Sequence, residues 1–269
     1  MRSSCSLAFR WPWPWVFGGG RVPLPYSYRV DLSYRGSGFK GFQVQPGLRT
    51  VQGELEAALS RLFGAPIRVT GAGRTDAGVH ARHQVISFVA EVLFEPRRLL
   101  GALNGVLPPD VRILEVRLVE EGFCARRSPR AREYVYFLWD GEVMPPFLSD
   151  LVWHFKLGRL DERAMGEAAS LLVGSHDFSS FCKGGEVPDN PVREVQLARL
   201  RRRGDLLWFR VRANAFLCQM VRIMVGSLVL VGRGLRPPSW IGEVLEARDR
   251  KAAGPTAPPH GLYLWRVHA

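Results

Sequence analysis

From residue 26 to residue 34 apolar and polar side chains alternate. Tyr26, Tyr28, Val30, Leu32 and Tyr34 are interleaved with Ser27, Arg29, Asp31 and Ser33, and a period of two predicts a half-buried strand. A polar, glycine-containing loop covers residues 36–47, with Phe39, Phe42, Gln43 and Gln45 in it. The period then changes. Val51, Leu55, Ala58, Leu59 and Leu62 follow helical spacing behind Thr50, a suitable N-cap, and Gly64-Ala65-Pro66 ends the helix. Two β-branched runs, 67–70 and 85–89, flank residues 71–81 and predict strand, loop, strand. Pro96 opens a short helix through Leu99, Leu100 and Leu103, which Pro108-Pro109-Asp110 breaks, and residues 111–119 read as another strand. The order β-α-β-β-α-β favours an α+β fold with a mainly antiparallel sheet over a doubly wound parallel one.

The second half continues in the same vein. Residues 134–139 form an aromatic strand. Asp161 is placed to cap a helix over 162–173, with Leu160 and Met165 as a hydrophobic staple and Gly174 as its stop. Residues 174–181 read as a loop, and 195–200 and 206–213 as strands joined at Arg203-Gly204-Asp205. The most apolar helix spans 216–231. A further helix over 240–248 and a strand over 262–267 follow. Residues 1–23, with Trp11-Pro12-Trp13-Pro14-Trp15 and Gly18-Gly19-Gly20, have neither periodicity and lack the apolar core and cleavage site of a signal peptide. They are expected to be a flexible N-terminal extension.

Composition changes the picture in one respect. Among 269 residues, 46% are hydrophobic and 23% charged, which is ordinary, but the net charge is +12 and the pI about 10.3. Such an excess points to a polyanionic partner, nucleic acid or an anionic membrane surface. No stretch approaches the roughly 18 uninterrupted apolar residues of a membrane-spanning helix, and Arg222 interrupts the longest apolar run, so nucleic acid is favoured and no membrane partner is expected. The basic charge comes from 33 arginines and 4 lysines. A GC-rich genome or a thermophile's preferences would explain that bias as well as RNA binding does, but not the net excess. Cys5, Cys124, Cys182 and Cys218 are scattered, which fits a reducing, cytoplasmic compartment without a zinc site. His80 and His83 have metal-ligand spacing but no cluster of cysteines or acids beside them, so no metal is expected.

Candidate chemistry gathers in residues 71–81, where three glycines surround Arg74 and Asp76. Glycines permit close approach of a ligand, and a displayed carboxylate can serve as nucleophile or base. The same residues would also suit a tight turn whose Asp caps its own backbone. Arg222 bears on the choice, because a guanidinium within an apolar helix is costly unless paired or snorkelling. Asp76 is its expected partner, which would keep the carboxylate charged and aimed. Arg126, Arg127, Arg130 and Arg132 precede Tyr134 and Tyr136, and such a mixture suits looped or single-stranded RNA, although both tyrosines share a face and could be core. The neighbours His176 and Asp177 could form a catalytic pair, but adjacent residues in a loop more often orient the backbone, and that reading is favoured.

Residues 73–81, Gly-Arg-Thr-Asp-Ala-Gly-Val-His-Ala, closely resemble the signature of the TruA family of tRNA pseudouridine synthases. The likeness runs from about residue 28 almost to the end. It takes in Phe39, Gly41, Phe42 and Gln43, then Leu103-Asn104, Arg132 to Tyr136, residues 174–181, Ala213-Asn214, Met220-Val221-Arg222 with Gly226, and Gly261-Leu262-Tyr263-Leu264. It implies two pseudo-repeated α+β lobes with a basic active-site cleft between them, here residues 24–124 and 125–269. It implies isomerisation of uridine to pseudouridine around positions 38 to 40 of the tRNA anticodon stem-loop, by a homodimer and without a cofactor. Asp76 would be catalytic, and Arg74 would displace the target nucleotide. Tyr134 would stack on the uracil and assist removal of its C5 proton, Arg222 would pair with Asp76, and Leu262 would wall the base pocket. Arg126, Arg127 and Arg130 would contact RNA. Cys124 stands where the family often has His, and Gly36 and Ser37 depart from the usual start of the first loop, which bears on RNA positioning and not on the chemistry.

Overall fold

The computed structural model describes residues 25–268; the expectation for residues 1–23 lies outside them. The first unit comprises strand β1 (Tyr26–Tyr34), helix α1 (Val51–Phe63), β2 (Thr70–Gly71), β3 (His80–Ala90), α2 (Pro96–Val106) and β4 (Val111–Val119). Then come β5 (Ala131–Trp139), β6 (Trp153–His154), α3 (Glu162–Ser170), β7 (Gly174–Asp177), β8 (Val192–Arg203), β9 (Leu206–Ala213), α4 (Met220–Gly232), α5 (Trp240–Ala247) and β10 (Leu262–His268).

One mostly antiparallel sheet joins them in the order β4-β1-β3-β10-β5-β9-β8-β7, with β2 on β3 and β6 on β5. Within it the same motif occurs twice. β1-α1-β2-β3-α2-β4 lies as β4-β1-β3-β2, and β5-α3-β8-β9-α4-β10 lies as β10-β5-β9-β8, every neighbour within each unit antiparallel. Both are split βαββαβ units. They meet at the parallel pair β3–β10, where Tyr263 lies opposite His80 and Leu264 opposite Ala81. That seam puts the loop entering β3 beside the start of β10. The α+β reading of the sequence agrees with this architecture.

Local chemistry accounts for the elements. Thr50 accepts from Gly53 N at 3.3 Å and Asp161 from Ala164 N at 3.0 Å, capping α1 and α3. Gly64 ends α1 in the left-handed region, and Leu160 and Met165 are both buried beside the α3 cap. Tyr28, Val30 and Leu32 are fully buried on one face of β1, where Tyr28 stacks on Phe88 and meets Phe63 of α1 edge-on. Gly226 is needed for close approach: a Cβ there would lie 1.7 Å from the Pro255 carbonyl. Helix α4 therefore presses against residues 254–257, and Ala257 N donates to the Arg222 carbonyl at 3.0 Å.

Four expectations shift. Residues 67–69 do not pair as a strand, because α1 takes their amides: Ser60 Oγ accepts from Ile67 N and Glu56 Oε1 from Val69 N. Residues 174–177 do form a strand, β7, created by pairing with β8. Helix α4 begins at Met220, since Gln219 before it has φ +57°, and α3 ends at Ser170.

Candidate active site

The loop between β2 and β3 is tied down along its whole length. Ala72 N donates to Val85 O at 2.8 Å, and the buried Gln84 amide donates to Gly73 O at 2.7 Å. Thr75 Oγ1 lies 2.8 Å from the Tyr34 hydroxyl, whose pKa burial pushes up to about 12. Phe42 N donates to Thr75 O, and Gly78 N to Phe39 O, joining this loop to the one after β1. A Cβ at Gly36 would sit 2.0 Å from Val79 O; nothing larger fits between the two loops. His80 completes the frame. Gly36 N donates to its Nδ1 at 3.0 Å, and its Nε2 lies 3.1 Å from the His260 carbonyl. Burial pushes the His80 pKa down to about 4, consistent with a neutral ring that accepts at Nδ1 and donates from Nε2.

Held in this way, Asp76 turns its carboxylate across the seam. Arg222 Nη1 donates to Asp76 Oδ2 at 2.9 Å, while Arg222 Nε donates to Ala257 O at 2.8 Å. The Asp76 side chain is 35% exposed and that of Arg222 13%. The partners are 146 residues apart in sequence, so the carboxylate is not spent on its own turn. Among the described residues, Asp76 Oδ1 carries no hydrogen bond.

The carboxylate borders a cleft of about 760 Å³, within the usual range of ligand sites of about 300–1,000 Å³. Arg74, Arg126, Tyr134 and Leu262 also line it. Arg74 and Arg126 are exposed, whereas Tyr134 and Leu262 are buried at 8% and 5%. Phe216 meets the Tyr134 ring edge-on at 4.9 Å. Burial, with Tyr34 and Asp76 nearby, raises the Tyr134 pKa, so its phenol stays protonated. Arg127 and Arg130 are exposed on the adjoining segment but do not border the cleft.

Arg132, another lining residue, is a contributor that its place in a basic run conceals. Its Nε and Nη2 donate to Ala72 O at 3.1 and 2.8 Å, Nη2 also to Arg126 O at 2.9 Å, and Nη1 to Asn214 O at 3.0 Å. One guanidinium thus fastens the Asp76 loop, the basic segment and the β9–α4 connection, and no carboxylate among the described residues pairs with it. Cys218 also borders the cleft; burial and Glu186 push its pKa up to about 12, keeping it a thiol.

The remaining candidates have structural partners. His83 binds Asp31 at 3.0 Å. Burial alone would raise the Asp31 pKa, but hydrogen bonds from His83 and Arg29 outweigh it and lower it to about 2. Asp177 accepts from Ser179, and His176 bonds Val173 O. Among the described residues no group of three or more His, Cys, Asp or Glu is arranged to hold a metal ion.

A carboxylate paired with an arginine on the wall of a basic, tyrosine-lined cleft suits an enzyme that acts on a polyanion. The comparisons agree with that class and narrow it. A profile of the tRNA pseudouridine synthase family matches residues 32–124 and 168–268. The chain is 45% identical over 241 residues to tRNA pseudouridine synthase A of Geobacillus sp. (strain WCH70), covering 89% of this chain and 97% of that one. It is 44% identical over 241 residues to the enzyme of the same name from Bacillus pumilus (89% and 97%), and 43% identical over 243 residues to that of Coxiella burnetii (89% and 91%). The chain belongs to the tRNA pseudouridine synthase family, a family of isomerases.

Proposed function

We propose that this protein isomerises uridine to pseudouridine in the anticodon stem-loop of tRNA, around positions 38 to 40, with Asp76 as the catalytic residue. The observation that carries the reading is the Arg222–Asp76 pair at 2.9 Å on the wall of the basic cleft. A stacked uridine must leave the helix to reach such a site, at a cost of a few kcal/mol. Arg74, exposed two residues before Asp76, is suited to take its place in the stack, and Tyr134 and Leu262 to wall the extruded base. Arg126, Arg127 and Arg130 would hold flanking phosphates.

In the reaction the N1–C1′ bond breaks and a C5–C1′ bond forms, while C5 loses a proton and N1 gains one. The product is an isomer, so no external oxidant, reductant or energy source enters the balance. Asp76 assists the cleavage either by attack on C1′ or by accepting the C2′ proton; both need an ionised, oriented carboxylate. Because the Tyr134 phenol stays protonated, we assign it stacking and not action as a phenolate base. We further propose that the protein works as a homodimer in the cytoplasm, on the strength of the family resemblance; no described helix is long and apolar enough to cross a membrane.

The test is to treat unmodified tRNA transcript with the purified protein and resolve the nucleosides. Pseudouridine of unchanged mass supports the isomerase; free uracil with an abasic site would mean a hydrolase, and unchanged tRNA a binding protein alone.

A further inference from the structure

The β8–β9 hairpin has a basic face that the cleft does not use. On β8 the buried Ala198 and Leu200 alternate with Arg199, Arg201 and Arg203, all three exposed. On β9 the buried Leu207, Phe209 and Val211 alternate with Trp208, Arg210 and Arg212. The register sets Arg199 opposite Arg210 and Arg201 opposite Trp208. Since Tyr134 of β5 lies opposite Val211, the cleft is on the side of the buried residues and the arginines face the other way.

Five arginines share this face, and among the described residues Arg210 alone has a carboxylate partner, Glu133 at 2.8 Å. That carboxylate also takes His268 at 3.2 Å. Like charges directly opposite on adjacent strands destabilise a sheet, and Arg199 faces Arg210. A polyanion lying along the ribbon would remove that repulsion. Alternate residues of a strand are about 7 Å apart, comparable with successive phosphates of an RNA strand, and arginine's planar fork suits phosphate. Trp208, half-buried beside Arg201, offers a ring for an unpaired base.

We propose that the outer face of the β8–β9 hairpin is a second tRNA-binding surface, which holds the sugar-phosphate backbone outside the anticodon stem-loop. The proposal rests on the tRNA reading above. Its test compares wild type with R199Q/R201Q/R203Q, and with R97Q/R98Q/R163Q as a control that removes equal charge from exposed helical positions. Pseudouridine formation is measured on full-length tRNA and on the isolated anticodon stem-loop.

For the hairpin variant the KM for full-length tRNA rises about ten-fold with kcat unchanged, and the slope of log KM against log salt shrinks by about two to three, one per lost phosphate contact. Its kinetics on the stem-loop match wild type, and the control matches wild type on both RNAs. Unchanged kinetics on full-length tRNA, an equal loss on both RNAs, or the same loss in the control would overturn the proposal. So would loss of binding to anionic vesicles with tRNA kinetics intact, which would assign the face to a membrane. If wild type makes no pseudouridine in either RNA, the activity reading fails instead, and titration of the three proteins with full-length tRNA still decides the surface.

Discussion

Asp76 gives one carboxylate oxygen to Arg222, and Arg222 spends a second donor on Ala257 O. An ammonium cannot make both bonds in that geometry. Charge-assisted hydrogen bonds contribute about 1.5–3 kcal/mol, so R222M is expected to lower kcat about 10- to 100-fold and R222K by less, with KM little changed. A raised KM at wild-type kcat would show that the arginine binds RNA and does not aim the carboxylate. Tyr134 has no hydrogen bond from its hydroxyl among the described residues. Y134F should therefore stay within a few-fold of wild type while Y134A loses most activity; equal losses would place the role in the hydroxyl. His80 makes a pH prediction. Its folded pKa of about 4 lies below the usual value of 6.5, so between those pH values the unfolded chain binds more protons. Its contribution is complete above pH 6.5 and is lost as pH falls towards 4, by about 3 kcal/mol in all. Melting curves at pH 7 and pH 5 should show this loss in wild type and a smaller one in H80N.

At the scale of elements, the site depends on how α4 and the Asp76 loop are held against their neighbours. Gly226 lets α4 contact the Pro255 carbonyl, four residues beyond Arg222. G226A is expected to push the helix away, costing about 1–3 kcal/mol of stability as an overpacked substitution and lowering kcat; unchanged melting and turnover would mean that the contact yields freely. On the other side Arg132 ties three segments through carbonyls. R132K, which cannot reach all three, should lower kcat more than it weakens tRNA binding.

At the scale of the whole molecule, a doubled βαββαβ unit places the Asp76 loop at the parallel β3–β10 seam where its two halves meet. Much of this was legible in the chain. The alternation from Tyr26 to Tyr34 and the capped helix after Thr50 match β1 and α1, and the lone charge in the apolar α4 pointed to a carboxylate partner. What was hidden depends on distant partners. Residues 174–177 become a strand only through β8, and residues 67–69 fail to become one because α1 claims their amides. Arg132 looked like one more surface cation, since the carbonyls that employ it are 60 and 82 residues away. The net charge of +12 predicts tRNA affinity that falls steeply with salt; a flat response in a binding titration would contradict a basic RNA cleft.

The role of the Asp76 carboxylate is tested most directly by single-turnover pseudouridine formation with D76N, beside a tRNA-binding titration of the same protein. Asparagine keeps the shape and removes the charge. The expected result is no detectable pseudouridine with tRNA affinity within a few-fold of wild type, and turnover by D76N near the wild-type rate would contradict a catalytic role for Asp76.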